Sequence, residues 1–179
     1  MERQTLFCET ERLVLRRLTP ADYGALCAML QDPQVMYAYE GAFDAQQVRD
    51  WLERQLARYA EPGLGWNGVL LKSSGALIGQ CGLTWQQIPQ GRVLEVGYMF
   101  CKEHWHRGYA AEAAAACRRY AFEVLGAEEV YSIIRDTNAP SRAVAVRGGM
   151  QWAGRFVKHY RGVDMPHDIY VLRRGGAAE

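Results

Sequence analysis

The chain has 179 residues, of which 49% are hydrophobic and 23% charged, and a net charge of +1. That length fits a single domain spanning residues 1–179, with a sizeable core. The near-zero charge gives no global attraction to nucleic acid or to a membrane surface. Cys8, Cys27, Cys81, Cys101 and Cys117 are an odd number of cysteines without close spacing. They read as free thiols in a reducing compartment rather than a disulfide framework. The opening "MERQTLFCETERL" has no apolar signal core, and no apolar run reaches membrane-spanning length, so the expected location is cytoplasmic.

In chain order, "ERLVLRRL" alternates as a strand does. In the following "TPAD", Thr19 can cap a helix, Pro20 fits its first position and Asp22 favours its N-terminus, which predicts a helix to about Leu30. A second helix is predicted to begin at Asp44, with Gln47 placed for a capping box and Val48, Trp51, Leu52, Leu56 and Tyr59 at helical spacing. "EPGLG" ends it. "WNGVLLK", "ALIGQCGLTWQQI" and "RVLEVGYMF", joined by "SSG" and "PQG", predict a three-stranded antiparallel meander. A long helix follows from about Gly108 to Leu125, closed by Gly126. "EVYSIIR" is a strand, and "NAPSRAVAVRGG" a short helix with Asn138 as candidate cap. "MQWAGRFVKHYR" and "HDIYVLRR" form a last hairpin around "GVDMP", and the tail 175–179 is expected to be disordered. The expected class is α+β, a mixed, mostly antiparallel central sheet of about seven strands flanked by about four helices, with its core over about residues 10–174.

The stretch "WHRGYAAEA", residues 105–113, carries the first chemical signal. A helix N-terminus presents unpaired N–H groups and about half a positive charge. Gly108 removes the side chain that would keep an anion away, Ala110, Ala111 and Ala113 keep the first turn slim, and Arg107 adds a charge. By itself such a turn is more often a plain structural one. It is no P-loop, which ends in Gly-Lys-Ser/Thr, and no dinucleotide fingerprint, which needs three spaced glycines.

Taken with "EVGYMF", "NAPSRAVAVRGGM", the opening "TERLVLRRLTPAD" and the closing "HYRGVDMPHDIYVLRR", the pattern resembles the GNAT acetyltransferase superfamily over residues 10–174. Within it the chain is most similar to the branch of ribosomal-protein N-terminal acetyltransferases. "WHRGYA" fits the family's Gln/Arg-x-x-Gly-x-Gly/Ala with Trp105 in the first place. The resemblance implies acetyl-CoA as co-substrate and no metal. It implies that the backbone of Tyr98, Met99 and Phe100 pairs with the pantetheine arm as an added strand would. It further implies that N–H groups of His106, Arg107, Gly108, Tyr109, Ala110 and Ala111 cradle the pyrophosphate. Asn138 would hydrogen-bond the pantetheine arm, and Ser141 would lie near the thioester. The family often carries a tyrosine acid seven positions beyond the asparagine, where this chain has Ala145; Gly148 stands where a leucine is common.

The implied reaction is direct attack of a neutral primary amine on the thioester, with a protein N-terminal α-amine as the expected acceptor. A polyamine, an aminoglycoside-like amine and a non-catalytic acyl-CoA sensor are the alternatives. The expected assembly is a monomer or homodimer. Glu95, the one acid in an apolar strand leading to the glycine turn, is the candidate base, and a solvated strand residue otherwise. Ser141 is a candidate donor to the leaving thiolate, and a helix-turn hydroxyl otherwise. Trp51, Tyr59, Trp66 and Trp85 are candidates for a cleft wall or for packing, and "RFVKHYR" for an acid-binding or a solvated face. Cys101, His104 and His106 lack a partner pair at zinc spacing, and Cys81 and Cys101 lack an activating base.

Overall fold

The computed structural model describes residues 5–176. Eight strands form one sheet, β1 (Leu6–Glu9), β2 (Leu13–Arg17), β3 (Gly65–Leu71), β4 (Leu77–Ile88), β5 (Gly91–Phe100), β6 (Glu129–Arg135), β7 (Gln151–Tyr160) and β8 (Val163–Arg173). Four helices accompany them, α1 (Tyr23–Leu30), α2 (Ala45–Arg58), α3 (Tyr109–Glu123) and α4 (Ala139–Arg147). The order across the sheet is β1-β2-β3-β4-β5-β6-β8-β7. Every neighbouring pair is antiparallel except β5 and β6, which run parallel and share a single register pair, Glu95 with Tyr131.

The α+β sheet flanked by four helices is the expected one, with eight strands in place of seven. The addition is β1, whose "LFCE" is too short to show an alternation and forms only as the edge partner of β2. The helix expected from Thr19 opens as a 3₁₀ turn over Pro20–Asp22 before α1 begins. Asp22 also has a second role there. It lies buried in a two-pronged pair with Arg16, both contacts at 2.8 Å, and takes the Thr19 N–H at 2.7 Å. The last hairpin turns at Arg161 and Gly162, so Val163, Asp164, Met165 and Pro166 belong to β8 rather than to the turn. Of the tail expected to be disordered, residues 177–179 lie outside the described residues, and the Gly176 N–H closes a turn onto the Arg173 carbonyl at 3.0 Å.

The helices start where the residues dictate. Asp44 and Gln47 exchange side-chain bonds with each other's backbone N–H at 2.8 and 2.9 Å, the capping box that starts α2. α3 ends against Gly126, whose φ of +70° lets the Ala127 N–H reach back to the Ala121 carbonyl at 2.9 Å. The even residues of β5, Leu94, Val96 and Phe100, pack under Ala113, Ala114, Cys117 and Ala121 of α3. On the opposite face Met99 packs with Trp66 and with Leu26, Met29, Val48, Trp51 and Leu52 of α1 and α2. A third, smaller cluster joins Ala145 and Met150 to Ile134 and Tyr170. Gly148, where a leucine is common in the family, closes α4. A Cβ there would lie 2.4 Å from Nη2 of the buried Arg118, so the bare backbone makes room for that guanidinium.

Candidate active site

Beyond Glu95 and Tyr131 the strands β5 and β6 part, and a cleft of about 470 Å³ opens between them. Its floor depends on a glycine. A Cβ on Gly97 would fall 2.4 Å from the Trp66 ring, so the missing side chain lets the indole lie across β5. Trp51 stands edge-on to Trp66, with ring centroids 5.2 Å apart, and Tyr39 and Phe43 complete an apolar wall.

The split fixes which backbone groups are open. The Cys101 N–H bonds to Ile78 of β4, so strand alternation turns the backbone of Met99 and Gly97 to β4 as well. Val96, Tyr98 and Phe100 face the open side instead. The Val96 carbonyl accepts from Ser132 Oγ at 3.3 Å, and the Phe100 carbonyl from Trp105 Nε1 at 2.8 Å. Among the residues expected to form the strand edge, Tyr98 and the N–H of Phe100 therefore remain available, while Met99 is turned away.

Glu95 occupies the fork itself. Its Oε1 accepts the Ile133 N–H at 3.2 Å, replacing the ladder bond that the parting strands no longer make. Burial raises its carboxyl from 4.5 to about 7, against the charges of Lys158 and Arg58 and the Ile133 hydrogen bond, which pull the other way. A carboxylate poised near neutrality beside a cleft is suited to accept a proton. His167 also lines the cleft. Burial lowers its pKa, and its Nδ1 lies 2.9 Å from the Met165 carbonyl.

α4 brings up two more of the expected residues. Asn138 caps it, Oδ1 accepting the Ser141 N–H at 3.2 Å and the Tyr37 hydroxyl at 2.7 Å. The Nδ2 donor of Asn138 has no partner among the described residues, and both Asn138 and Ser141 line the cleft. The Ser141 carbonyl takes the Tyr98 hydroxyl at 2.9 Å, whereas Ser141 Oγ is not used to cap or brace the helix. Ala145 is buried in the cluster behind α4, so its face of the helix packs against the sheet rather than the cleft.

The glycine turn leads into α3. Gly108 is the N-cap at φ +81°, and His106 also takes a positive φ of +59°. Among the described residues, the backbone N–H groups of 106–111 find no protein acceptor; the first to do so is Glu112, to the Gly108 carbonyl at 3.0 Å. Arg12, just before β2, braces the turn, donating from Nη1 to the Arg107 carbonyl at 3.0 Å and from Nε to Glu112 at 2.7 Å. Burial opposes the Glu112 charge, but the bonds from Thr10 and Arg12 outweigh it and hold the carboxyl below its ordinary value.

The fold thus brings Glu95, Tyr98, Asn138 and Ser141 to one cleft, whereas Met99, Phe100 and the 106–111 turn at the head of α3 are not among the residues that line it. Trp51 and Trp66 are cleft wall. Tyr59 is a brace, its hydroxyl bonding the Leu18 N–H and the Trp66 carbonyl, and Trp85 lies elsewhere, bonded to Glu61 at 3.1 Å. Tyr37, Tyr39, Arg58 and His167 had no signal in the sequence. They meet the site only through contacts between distant segments. Among the described residues no three His, Cys, Asp or Glu side chains are placed to hold a metal ion. No helix among them is long and apolar enough to cross a membrane. Cys81 and Cys117 face each other across the core with sulfurs 3.5 Å apart.

Comparison with known proteins accords with this geometry. The acetyltransferase (GNAT) domain family matches residues 12–151. A Bacillus subtilis protein, YkkB, is 36% identical over 145 residues, covering 80% of this chain and 84% of its own length. The crystal structure of an Agrobacterium tumefaciens acetyltransferase is 30% identical, covers 93% of this chain and 94% of its own, and superposes with a TM-score of 0.78. RimL, a ribosomal alpha-N-protein acetyltransferase, shares the fold at a TM-score of 0.81 and 12% identity, covering 97% of this chain and 96% of its own. The split sheet with its glycine-capped helix is thus the framework of an acyltransferase, and the chain belongs to the GNAT acetyltransferase family.

Proposed function

We propose that this chain transfers an acetyl group from acetyl-CoA to a primary α-amine, with Glu95 as the base. The observation that carries the reading is the half-buried Glu95 carboxyl, raised to about 7, at the fork where β5 and β6 part. An α-amine has a pKa of about 7.7–8.0 and a lysine amine about 10.4. A base near 7 can take a proton from the first with little driving force to find, but the second is held charged at neutral pH. The α-amine of a peptide N-terminus, the group named for RimL, fits that base better than a polyamine does.

The residues present suit acetyl-CoA. The unpaired N–H groups of 106–111 and the bare Gly108 would hold its pyrophosphate. Tyr98 and the Phe100 N–H would bond the pantetheine arm along the open edge, with Asn138 Nδ2 as a further donor. The amine nitrogen attacks the thioester carbonyl carbon, the carbon–sulfur bond breaks, and CoA leaves as thiolate. Glu95 takes the proton from nitrogen, and Ser141 Oγ, which lines the same cleft, is the proposed donor of a proton to sulfur, regaining its own from solvent. Residues 10–174 act as one catalytic domain in this reading, in a reducing, cytoplasmic setting that suits five free cysteines.

The test is release of free CoA from acetyl-CoA with a panel of α-amines, lysine-like amines and polyamines. Turnover on α-amines with the others slower supports the reading. Binding of acetyl-CoA with no turnover on any amine would make the chain an acyl-CoA-binding protein instead.

A further inference from the structure

We propose that the acceptor carries, besides its amine, an anionic group that docks on Arg58 and Lys158, with Arg54 at the mouth of the cleft. The inference rests on the acetyltransferase reading and names the substrate class of that same site.

The charge lining the cleft is lopsided although the whole chain is nearly neutral. Among the described residues that line it, Glu95 is the only carboxylate, against Arg54, Arg58, Arg135 and Lys158. Arg135 is already committed to Glu40. His159 sits against Asp164, and burial disfavours a charge on His167. Arg54, Arg58 and Lys158 form no ion pair among the described residues. Arg58 is half-buried and donates only to the neutral Gln55 amide, at 3.1 Å. Arg54 lies one helical turn before it on α2, and the two like charges oppose each other. Lys158 is half-buried on β7, across the cleft from α2.

Arg58 and Lys158 are half-buried cations without an ionic partner, and the exposed Arg54 opposes the charge of Arg58, so a counter-charge on the ligand would stabilise the group. Glu95 is one counter-charge, but a carboxyl that must alternate between protonated and ionised states cannot balance three cations. A carboxylate or phosphate on the acceptor can, and the apolar wall of Trp51, Trp66, Tyr39 and Phe43 leaves no other carboxylate to do so. The same field turns away polyamines and aminoglycosides, which bring further positive charge to a site that already has an excess. Arg54 and Arg58 on one wall and Lys158 on the other flank the fork that holds Glu95. The acceptor is thereby oriented with its acid between the basic residues and its amine toward the carboxyl.

Matched acceptors that differ only as carboxylate and carboxamide test this. One arm compares the α-amides of glutamate and aspartate with those of glutamine and asparagine, so that no α-carboxylate remains to dock; the other compares Ser-Asp with Ser-Asn N-terminal peptides amidated at their C-termini. The arms tell a small amino acid from a peptide as the source of the acid. Each pair is measured twice, as kcat/KM for CoA release and by calorimetry on the CoA-bound protein. The carboxylate should be favoured about tenfold or more, as expected for a charge-assisted bond in a partly desolvated site. In Arg58→Gln with Lys158→Gln that ratio should fall toward one, mainly through KM. Should that variant fail to fold, Arg54→Gln at an exposed position should reduce the ratio in part, and its effect should shrink with added salt. Turnover with equal preference within every pair, or a preference for polyamines, would overturn the proposal. Carboxylate-selective binding without turnover would uphold it while removing the catalytic reading.

Discussion

Glu95 shows how a single side chain can be worse for the fold and better for the reaction. Its carboxyl is raised from 4.5 to about 7, and at about 1.4 kcal/mol per unit the charged form costs the folded state about 3 kcal/mol at high pH. The folded state binds the proton more tightly than the unfolded chain does. The cost is therefore absent below about pH 4.5, grows as pH rises, and is complete above about 7. Glu95→Gln should accordingly be more stable than the natural protein at pH 8 and equal to it at pH 4, as thermal or urea unfolding at the two pH values would show. The same substitution should lower kcat by about 10²–10⁴-fold with CoA affinity nearly unchanged. In the natural protein kcat should climb as pH rises through about 7, and that limb should be missing from the variant. A variant with unaltered rates from pH 6 to 9 would reduce Glu95 to a plug for the Ile133 N–H.

At the scale of elements, the head of α3 separates a ligand site from an ordinary cap. Gly108 and Gly126 take similar left-handed backbones, φ +81° and +70°, near the two ends of one helix. Alanine costs on the order of 1–2 kcal/mol at either place, because its Cβ meets the neighbouring carbonyl. Only Gly108 stands among the unpaired N–H groups. Gly108→Ala should thus weaken CoA binding about tenfold or more, whereas Gly126→Ala should leave affinity unchanged at the same loss of stability. Calorimetry with CoA and a melting curve for each variant decide it; equal affinities would move the pyrophosphate elsewhere. These elements could be read from sequence because their signals are local. Asp44 with Gln47, Asn138 with Pro140, and the two glycines around α3 each act within a turn or two. β1 left no such trace, since four residues pair only because β2 lies beside them. The site divided in the same way. Asn138, Ser141 and Gly108 sit in motifs, and Glu95 stands out as an acid among apolar neighbours. Lys158 sat in the basic stretch "RFVKHYR", but Arg58 and Tyr39 come from α2 and the segment before it, and no spacing along the chain announces that a cleft gathers all three.

Across the whole molecule, the pieces around the cleft are tied by a few polar contacts. Arg135 pairs with Glu40, Arg161 donates to the Glu40 carbonyl at 3.2 Å, and Tyr37 donates to Asn138, so the segment between α1 and α2 is fastened to both β6 and the last hairpin. The sheet itself is nearly two sheets, β1 to β5 and β6 to β8, touching in register at Glu95 and Tyr131 alone. That seam implies a pattern in amide hydrogen exchange. Gly97 and Met99 point their N–H groups into the β4 ladder, while Tyr98 and Phe100 point theirs into the opening. Without ligand, protection along this one strand should alternate residue by residue, slow at 97 and 99 and fast at 98 and 100. Acetyl-CoA lying along the edge should slow the two fast amides and hardly change the slow ones, erasing a period of two. Exchange measured by NMR with and without CoA would reveal it, and uniform protection along 97–100 in the free protein would mean that the seam is closed in solution.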